Sequence, residues 1–418
     1  MKQTTAKDVT KKFAWPAIIM MMILSACALT PSSPQPAARP ENSRGCDDPL
    51  GCVILASDEP VRLAGVFALT EATATLGVDS QYGAQVAVDE WQQVAGHNIQ
   101  FVIREGGCSV ETGQAVAADL AGDEKLTAVI GHNCSSSCRA AAPIYDEAGL
   151  TMVSPSCTAP LLTAPDQHRP SFLRTVHNDS DQGRAMAELA YHELGLRTAA
   201  TIHDGSLYAE HLEQAFVKTF TALGGQMTDQ VALDRGRTDL RPLLAVLAED
   251  EPELLYYPIF LTEAMFVTAQ ARQTPGLQNT VLAGADALIS GQLVSQTEGA
   301  AEGMYISGMA GLTGENYEQF KDAYQRLAAE DPLHDFHAHA FDAADIVLAA
   351  IERVARTDAA GNTVIGRGAL REALYATRDF AGLTGTLTCN QFGDCADPNI
   401  VVSQIQNGEF VPVYRVLE

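Results

Sequence analysis

The sequence alternates short runs of β-forming residues with stretches that have the apolar spacing of a helix. The first β-like runs cover residues 61–67, 99–103 and 128–130, and a helical pattern separates each from the next. Strands that alternate with helices predict a parallel sheet with helices on both faces. The alternation resumes after Asn178, so we expect two α/β units of similar size in one chain.

The N-terminus has the layout of an export and lipid-attachment signal. Four lysines precede an apolar run over residues 13–24: Lys2, Lys7, Lys11 and Lys12. This run is short of the roughly 20 residues that span a bilayer, so it fits a cleaved signal peptide better than a membrane helix. It ends in Leu24-Ser25-Ala26-Cys27, which looks like the lipobox of bacterial lipoproteins. We expect residues 1–26 to be removed and Cys27 to carry a lipid that anchors the exported protein to a membrane, in the periplasm or at the cell surface.

Residues 27–58 are expected to form a tether between the lipid and the folded body. Prolines recur among Ser and Ala in its first part, at Pro31, Pro34, Pro36 and Pro40. A stretch of this composition stays extended and solvated. The tether would therefore hold the body away from the membrane.

The charge balance excludes some classes of partner. The chain has 52 Asp and Glu against 27 Lys and Arg, a formal charge of −25, and removing residues 1–26, with four Lys and one Asp, takes away +3 and leaves −28. Nucleic-acid binding needs clustered Lys and Arg, so no nucleic-acid partner is expected.

The sequence also contains no G-x-S-x-G, H-E-x-x-H or Walker motif. We therefore expect neither an enzyme nor a bound cofactor.

The nine cysteines fit an exported protein, because an oxidising compartment joins them in pairs. With Cys27 lipidated, eight remain. Cys46 and Cys52 flank a segment of turn-forming residues, and Cys389 and Cys395 do the same. Each of these pairs is expected to close a local loop. The other four allow three pairings: Cys108, Cys134, Cys138 and Cys157.

Hydroxyl side chains follow two of the predicted strands in the first unit. Residues 131–137, with the sequence GHNCSSS, lie between a strand and a helix, and residues 154–158, SPSCT, follow the next strand. Ligands in open parallel sheets bind at the carboxyl ends of the strands, and hydroxyls at a helix N-terminus add donors to its exposed N–H groups. The two loops predict a carboxylate-binding site. Simple capping of the helix by Ser135 or Ser136 is the alternative.

The second unit places an acid at an equivalent position. The strand at residues 201–203 leads to Tyr208, and the strand at 280–283 leads to Gly284-Ala285-Asp286. Asp286 would face the cleft between the units and could pair with an ammonium group, although it could also be a turn residue that caps the next helix. A carboxylate site in one unit and an acid with aromatics in the other describe an amino-acid zwitterion.

These segments resemble the leucine/isoleucine/valine-binding proteins of branched-chain amino-acid ABC transporters, a family of type I periplasmic binding proteins. The resemblance runs from about Val61 to Glu418 and is most specific over residues 131–158, where the order is G-H-x-C-S-S-S, I-Y-x-x-x-G-L and S-P-x-x-T. Residues 202–208, 302–304, 371–374 and 382–385 support it. It implies two Rossmann-like α/β lobes joined by a hinge. We expect lobe 1 to comprise residues 59–177 and 310–398, and lobe 2 residues 178–309 and 399–418.

The resemblance also implies which residues contact the carboxylate of a ligand. Carried over residue by residue, these contacts fall on Ser135, on the backbone around Ser156 and Cys157, and on Thr158. The family's disulfide at the end of the second strand falls on Cys108 and Cys134. Cys138 and Cys157 then lie beside the same loop, close enough to form a bridge.

The remaining contacts of the family fall on the second lobe and on the apolar walls. The ammonium contacts correspond to Asp286, where the family commonly has Glu, and to Tyr208. Phe260 stands where a Tyr is usual, and the pocket positions correspond to Leu76 and Phe336, the first commonly aromatic. With these departures a zwitterionic ligand remains favoured, but leucine is not fixed as the ligand.

The resemblance implies a binding protein rather than a catalyst. An amino acid, branched-chain or related, would bind lobe 1 first, and lobe 2 would close over it by a hinge motion. A membrane permease of an ABC importer would then recognise the closed monomer. A sensor or envelope lipoprotein of the same fold would have the same lobes.

A metal-binding lipoprotein is the other alternative. His334, His337 and His339 form an H-x-x-H-x-H group, and imidazoles this close in sequence can ligate zinc. No acidic or Cys ligand shares their spacing, so the sequence favours solvated histidines at the start of a helix over residues 341–354. No metal is therefore expected.

Overall fold

The computed structural model describes residues 45–70, 73–397 and 399–415. The predicted signal peptide, the predicted lipidation site at Cys27 and residues 28–44 of the predicted tether lie outside the described residues.

The strands and helices alternate along most of the chain. In chain order the strands are β1 (Cys52–Leu55), β2 (Val61–Phe67), β3 (Gln93–Val94), β4 (His97–Glu105), β5 (Leu126–Gly131), β6 (Met152–Ser154), β7 (Phe172–Arg174), β8 (Thr198–His203), β9 (Gln226–Ala232), β10 (Leu254–Tyr256), β11 (Val281–Gly284), β12 (Tyr305–Met309), β13 (Arg356–Thr357), β14 (Thr363–Gly366), β15 (Phe380–Gly382), β16 (Gly385–Leu387), β17 (Ile400–Gln406) and β18 (Glu409–Arg415). The α-helices are α1 (Ala74–Trp91), α2 (Val110–Ala121), α3 (Ser135–Ala148), α4 (Asp179–Glu188), α5 (Leu207–Ala222), α6 (Arg241–Leu247), α7 (Leu261–Ala271), α8 (Gly291–Gln296), α9 (Glu315–Ala328), α10 (His337–Val354) and α11 (Arg367–Tyr375). None of the helices in these described ranges is both long enough and apolar enough to cross a bilayer.

The first large sheet has the strand order β3-β4-β2-β5-β6-β7. Its strands are parallel except for the short β3. Alternate residues of β2 face opposite sides: Leu63 packs in a core with α1 and α10, whereas Ala64 packs in a core with α2 and α3. Helices therefore cover both faces, which is why β5 is buried along its whole length.

The second large sheet has the order β18-β17-β12-β11-β10-β8-β9. Strands β8 to β12 are parallel, as the alternating pattern predicts, but β17 and β18 are antiparallel additions. Asn407-Gly408 joins these two strands, with φ angles of 53° and 81°. This is the backbone of a tight hairpin turn, which suits Asn-Gly. The sheet is thus mixed rather than purely parallel.

Helix α5 illustrates how the local sequence fixes an element. The hydroxyl oxygen of Ser206 accepts a hydrogen bond from the Ala209 N–H at 3.2 Å and so caps the helix N-terminus. Leu212, Phe216 and Phe220 follow at intervals of four residues and are fully buried in the hydrophobic core of the second large sheet. This spacing directs one helix face against the sheet.

Helix α10 starts earlier than the sequence predicts. It begins at His337 rather than near residue 341, because the Asp79 carboxylate of α1 accepts a hydrogen bond from the His337 N–H at 2.7 Å. The expectation that His334, His337 and His339 are solvated is wrong. All three are buried, since α1 and the loop after β7 cover this end of the helix.

Among the described residues, four disulfides join Cys46 to Cys52, Cys108 to Cys134, Cys138 to Cys157 and Cys389 to Cys395. Two of them involve the segment around the start of α3. Cys134 precedes that helix, and Cys138 in its first turn is bridged to the loop after β6. This segment is therefore tied to the segment that follows β4 and to the loop that follows β6.

Candidate functional site

A cavity that is partly open to solvent lies where the carboxyl ends of strands from the two large sheets face each other, and its atom-free space, including the open mouth, is about 460 Å³. Segments following β2, β5 and β6 form one side, and segments following β8, β10 and β11 form the other. The lining residues are Thr73, Thr75, Leu76, Asn133, Cys134, Ser135, Ser156, Tyr208, Phe260, Leu261, Asp286, Ala287, His334 and Phe336.

The first wall is built on the N-terminus of α3. Its N-cap residue, Cys134, makes no side-chain capping hydrogen bond, so the capping alternative for the serines does not apply there. The hydroxyl oxygen of Ser135 instead accepts from the Ala159 N–H at 3.2 Å. The first-turn N–H groups and the positive end of the helix dipole therefore remain suited to an anion.

Asn133 organises this wall, although the sequence analysis did not single it out. Its side-chain amide donates to Ser156 Oγ at 3.0 Å and to Ser80 Oγ at 2.8 Å, and its carbonyl oxygen accepts from the Ala68 N–H at 3.1 Å. It thereby joins the ends of β2, β5 and β6 to α1. Its position in the predicted ligand loop was the one signal that could have indicated it.

Cys157 and Thr158 lie beside the cavity and do not line it. The Cys157 N–H donates to Ser154 Oγ at 2.9 Å, and the Cys157 carbonyl accepts from the Arg174 guanidinium at 3.0 Å. Arg174 is fully buried and also forms an ion pair with Asp394 at 2.6 Å. Arg174 therefore fixes the position of the loop that follows β6.

The second wall presents a hydrogen-bonded carboxylate. The Tyr208 hydroxyl donates to Asp286 Oδ1 at 2.5 Å, and the Ala287 N–H donates to the same oxygen at 3.0 Å. Burial, reinforced by the negative charge of Asp286, raises the pKa of Tyr208 well above its usual range. The phenol thus keeps its proton and acts as a donor. Asp286 is 1% exposed, so its charge acts in a low-dielectric environment.

The rest of the lining is mostly apolar and aromatic. The Phe260 ring stacks on Tyr208 with centroids 5.5 Å apart. Leu76 and Phe336 pack in one buried cluster with the Cys134 side chain, and the His334 ring stacks on Phe336 at 5.0 Å. This part of the cavity suits the hydrocarbon portion of a small ligand.

The three histidines of the metal alternative point to different partners. His334 lines the cavity, the His337 ring forms an ion pair with Asp79 at 3.2 Å, and His339 Nδ1 lies 2.7 Å from the Thr175 carbonyl. Across the described ranges there is no group of three or more His, Cys, Asp or Glu residues placed to hold a metal ion. The geometry does not favour a zinc site.

The structure therefore brings seven of the sequence-predicted site residues to one cavity. They are Leu76, Ser135, Ser156, Tyr208, Phe260, Asp286 and Phe336. Hydrogen-bond donors face a buried acid across the cavity, and apolar side chains form most of the remaining wall. Such a site can bind a small molecule that carries both a negative and a positive group.

Comparison with known proteins agrees with this geometry. A family model described as "Periplasmic binding protein" matches residues 60–408. The Leu/Ile/Val-binding protein of Escherichia coli K12 is 29% identical over 277 residues, which cover 64% of this chain and 73% of that protein. The leucine-, isoleucine-, valine-, threonine-, and alanine-binding protein of Pseudomonas aeruginosa is 25% identical over 340 residues, or 80% of this chain and 87% of that protein. The crystal structure of a leucine binding protein from Thermotoga maritima superposes with a TM-score of 0.76 at 26% identity, covering 85% of this chain and 98% of that one.

Proposed function

Because this chain belongs to the periplasmic binding protein family, we propose that it is the substrate-binding lipoprotein of an ABC importer and captures a free amino acid, branched-chain or related. The family implies an extracytoplasmic location, and the relatives compared above are substrate-binding proteins rather than enzymes. The observation that carries the proposal is the cavity that sets the α3 N-terminus opposite the Tyr208–Asp286 pair.

The carboxylate of the ligand is proposed to bind the first wall. Ser135 supplies a hydroxyl, and the N-terminal N–H groups of α3 supply further donors. The Ser156 hydroxyl donates to the Asn133 backbone carbonyl at 2.9 Å, so Ser156 is proposed to contribute through its backbone. Charge-assisted hydrogen bonds of this kind are stronger than neutral ones. Thr158 and the backbone at Cys157 lie next to this wall and are proposed to join it when the ligand is bound.

The ammonium group is proposed to bind Asp286, which Tyr208 orients. A carboxylate fixed by two donors on one oxygen keeps its other oxygen, Oδ2, for a ligand. The ligand's side chain would contact Leu76, Phe260 and Phe336, whose surfaces suit an aliphatic chain. Each methylene buried there contributes about 0.8 kcal/mol.

Capture is proposed to proceed by hinge closure. We assign residues 59–177 and 310–398 to one lobe and residues 178–309 and 399–418 to the other. The ligand stabilises the closed arrangement through contacts that only this arrangement provides. An ABC permease would recognise the closed monomer, which a lipid on Cys27 would hold at the membrane.

Calorimetric titration of the mature protein against the standard amino acids and small carboxylates tests this function. We expect at least one amino acid to bind with micromolar or tighter affinity. Asp286→Asn should weaken binding about tenfold to a hundredfold, since a hydrogen bond to a charged group contributes about 1.5–3 kcal/mol.

The matched control is Asp234→Asn. Asp234 is an exposed aspartate of the same half of the chain and does not line the cavity, so this variant should bind like the parent. Absence of binding by every amino acid, or parental affinity in Asp286→Asn, would contradict the proposal.

A further inference from the structure

A second buried carboxylate lies next to the candidate ammonium site. Asp179 is the first residue of α4, and its side chain is fully buried. Its N–H donates to the Thr158 carbonyl at 3.1 Å, so it adjoins the loop that follows β6. In the described part of the chain no donor makes a hydrogen bond of ordinary length and angle to either of its carboxylate oxygens, although the Thr158 hydroxyl is near enough to lower its pKa.

Other polar atoms around Asp179 also lack partners. Within the described residues, Thr158 Oγ1, Asp286 Oδ2 and the Tyr256 hydroxyl are buried and make no hydrogen bond. Burial, followed by the charges of Asp179 and Asp286, raises the pKa of Tyr256 well above its usual range. His177, two residues before Asp179, lies 3.6 Å from Asp286 Oδ2. Leaving a buried polar atom unpaired costs about 1–3 kcal/mol. A cluster drawn from four segments points to a group that the protein itself does not supply.

The neighbouring cationic side chains do not balance the two carboxylates. The Arg174 guanidinium is engaged by Asp394 and by three oxygen atoms of the segment from Cys157 to Thr163. His177 Nε2 lies 3.6 Å from Asp286 Oδ2 and 2.5 Å from the side-chain oxygen of Gln182. Burial lowers the pKa of His177 despite the opposing charge of Asp286, so its ring is neutral near pH 7.

The nearby charge of Asp286 affects the ionisation of Asp179. Burial and then the charge of Asp286 raise the pKa of Asp179 well above its usual range, with Thr158 and Arg174 opposing the rise. Two buried carboxylates of like charge disfavour ionisation together. A cation placed beside them would remove that penalty.

We propose that Asp179 supplies the second carboxylate of an ammonium subsite centred on Asp286, so that the cleft selects a ligand with a full positive charge. The inference rests on the proposed amino-acid function and deepens it. Asp286 lines the cavity and Asp179 does not, so Asp179 acts as a positioning residue through its charge. A protonated amine bound at Asp286 offsets the negative charge of both carboxylates, whereas a hydroxyl group at the same carbon carries no charge to do so.

The test compares amino acids with the hydroxy acids of identical carbon skeleton. Alanine, valine, leucine and phenylalanine are each titrated beside the matching 2-hydroxy acid. Asp179→Asn keeps the shape and removes the charge, so the affinity for the amino acids should fall at least about tenfold while that for the hydroxy acids stays within about twofold. Without added ligand, this variant should melt at a higher temperature than the parent, because burying a carboxyl group with a raised pKa beside Asp286 costs stability at neutral pH.

Asp181→Asn is the matched control. Asp181 lies in the same first turn of α4, is partly exposed and pairs with Arg184 at 3.2 Å. Asp181→Asn changes the net charge and the charge near the helix N-terminus by the same amount as Asp179→Asn. It should leave the affinities for amino acids and hydroxy acids, and the melting temperature, close to those of the parent. The proposal is overturned if Asp179→Asn has the same affinity for amino acids as Asp181→Asn. It is also overturned if Asp179→Asn loses affinity for amino acids and hydroxy acids by the same factor.

Failure of the proposed function has a different signature. If the parent binds no amino acid, the matching amines without a carboxyl group are titrated. Amine binding that Asp179→Asn weakens would support the subsite and reject amino-acid capture. Absence of amine binding would overturn both.

Discussion

At the scale of single residues, the buried Asp79 carboxylate joins segments that are far apart in the sequence. It lies in α1 and accepts hydrogen bonds from the N–H groups of Leu333, His334 and His337 at 2.7–3.2 Å. It also pairs with the His337 ring at 3.2 Å, and both side chains are less than 5% exposed. Removing one member of such a buried pair is strongly destabilising.

His337 should make the stability of the protein depend on pH. Burial opposes protonation, but Asp79 outweighs it with help from Asp335 and the His334 carbonyl, and the pKa of His337 is raised above its ordinary 6.5. The other groups facing the ring are Tyr317, whose hydroxyl lies 3.0 Å from Nε2, and Tyr324. Because the pKa is higher in the folded state, the stabilisation is complete below 6.5 and is lost as pH rises through the raised value.

Urea unfolding of the parent and of His337→Gln between about pH 6 and pH 9 measures this effect. The parent should lose stability with rising pH, and the variant should show a smaller dependence. His192→Gln, which changes an exposed histidine, should retain the slope of the parent. An equal slope in parent and His337→Gln would reject the assignment.

At the scale of elements, regular patterns could be predicted and distant contacts could not. The buried face of α5 follows from the spacing of Leu212, Phe216 and Phe220. Ser135 and Asp286 were identifiable because each follows a strand, and parallel strands place their carboxyl ends at one edge of a sheet.

The sequence did not indicate the role of Asn133 or the burial of His337. Their partners, Ala68 and Asp79, lie 65 and 258 residues away. Local periodicity carries no information about such pairs. The antiparallel β17–β18 hairpin was also missed, because the strand and helix alternation ends before it.

The Cys138–Cys157 disulfide should stabilise the loop that faces the ligand. It connects the first turn of α3 to the loop after β6, with a sequence separation of 19 residues. Closing a loop of this length contributes about 3 kcal/mol to stability. The double variant Cys138→Ser, Cys157→Ser should unfold more easily and bind the ligand more weakly, because the Ser135 hydroxyl and the backbone around Ser156 are less well positioned.

Calorimetry and amide hydrogen exchange of residues 131–138 check this expectation. The control is Cys46→Ser with Cys52→Ser, which removes a disulfide whose cysteines do not line the cavity. That variant should lose stability but keep its affinity. If both double variants bind with the same affinity, the Cys138–Cys157 bridge serves stability alone.

At the scale of the whole molecule, the two sheet units contact each other beside the cavity. The Leu207 N–H, at the start of α5, donates to Ser136 Oγ of α3 at 3.3 Å, and Leu207 also packs against the core of α2 and α3. Ser136 does not line the cavity. This contact therefore joins the two units without being part of the cavity lining.

Closure predicts that a bound amino acid makes the protein more compact. Small-angle X-ray scattering should show a smaller radius of gyration at saturating ligand. Ser136→Arg places a long side chain at the Leu207 contact and should weaken both the compaction and the affinity, since the ligand gains its last contacts only when the lobes meet. Ser136→Ala removes one hydrogen bond, about 1 kcal/mol, and should have a small effect. An unchanged radius of gyration in the parent, or full affinity in Ser136→Arg, would show that capture does not depend on closure at this contact.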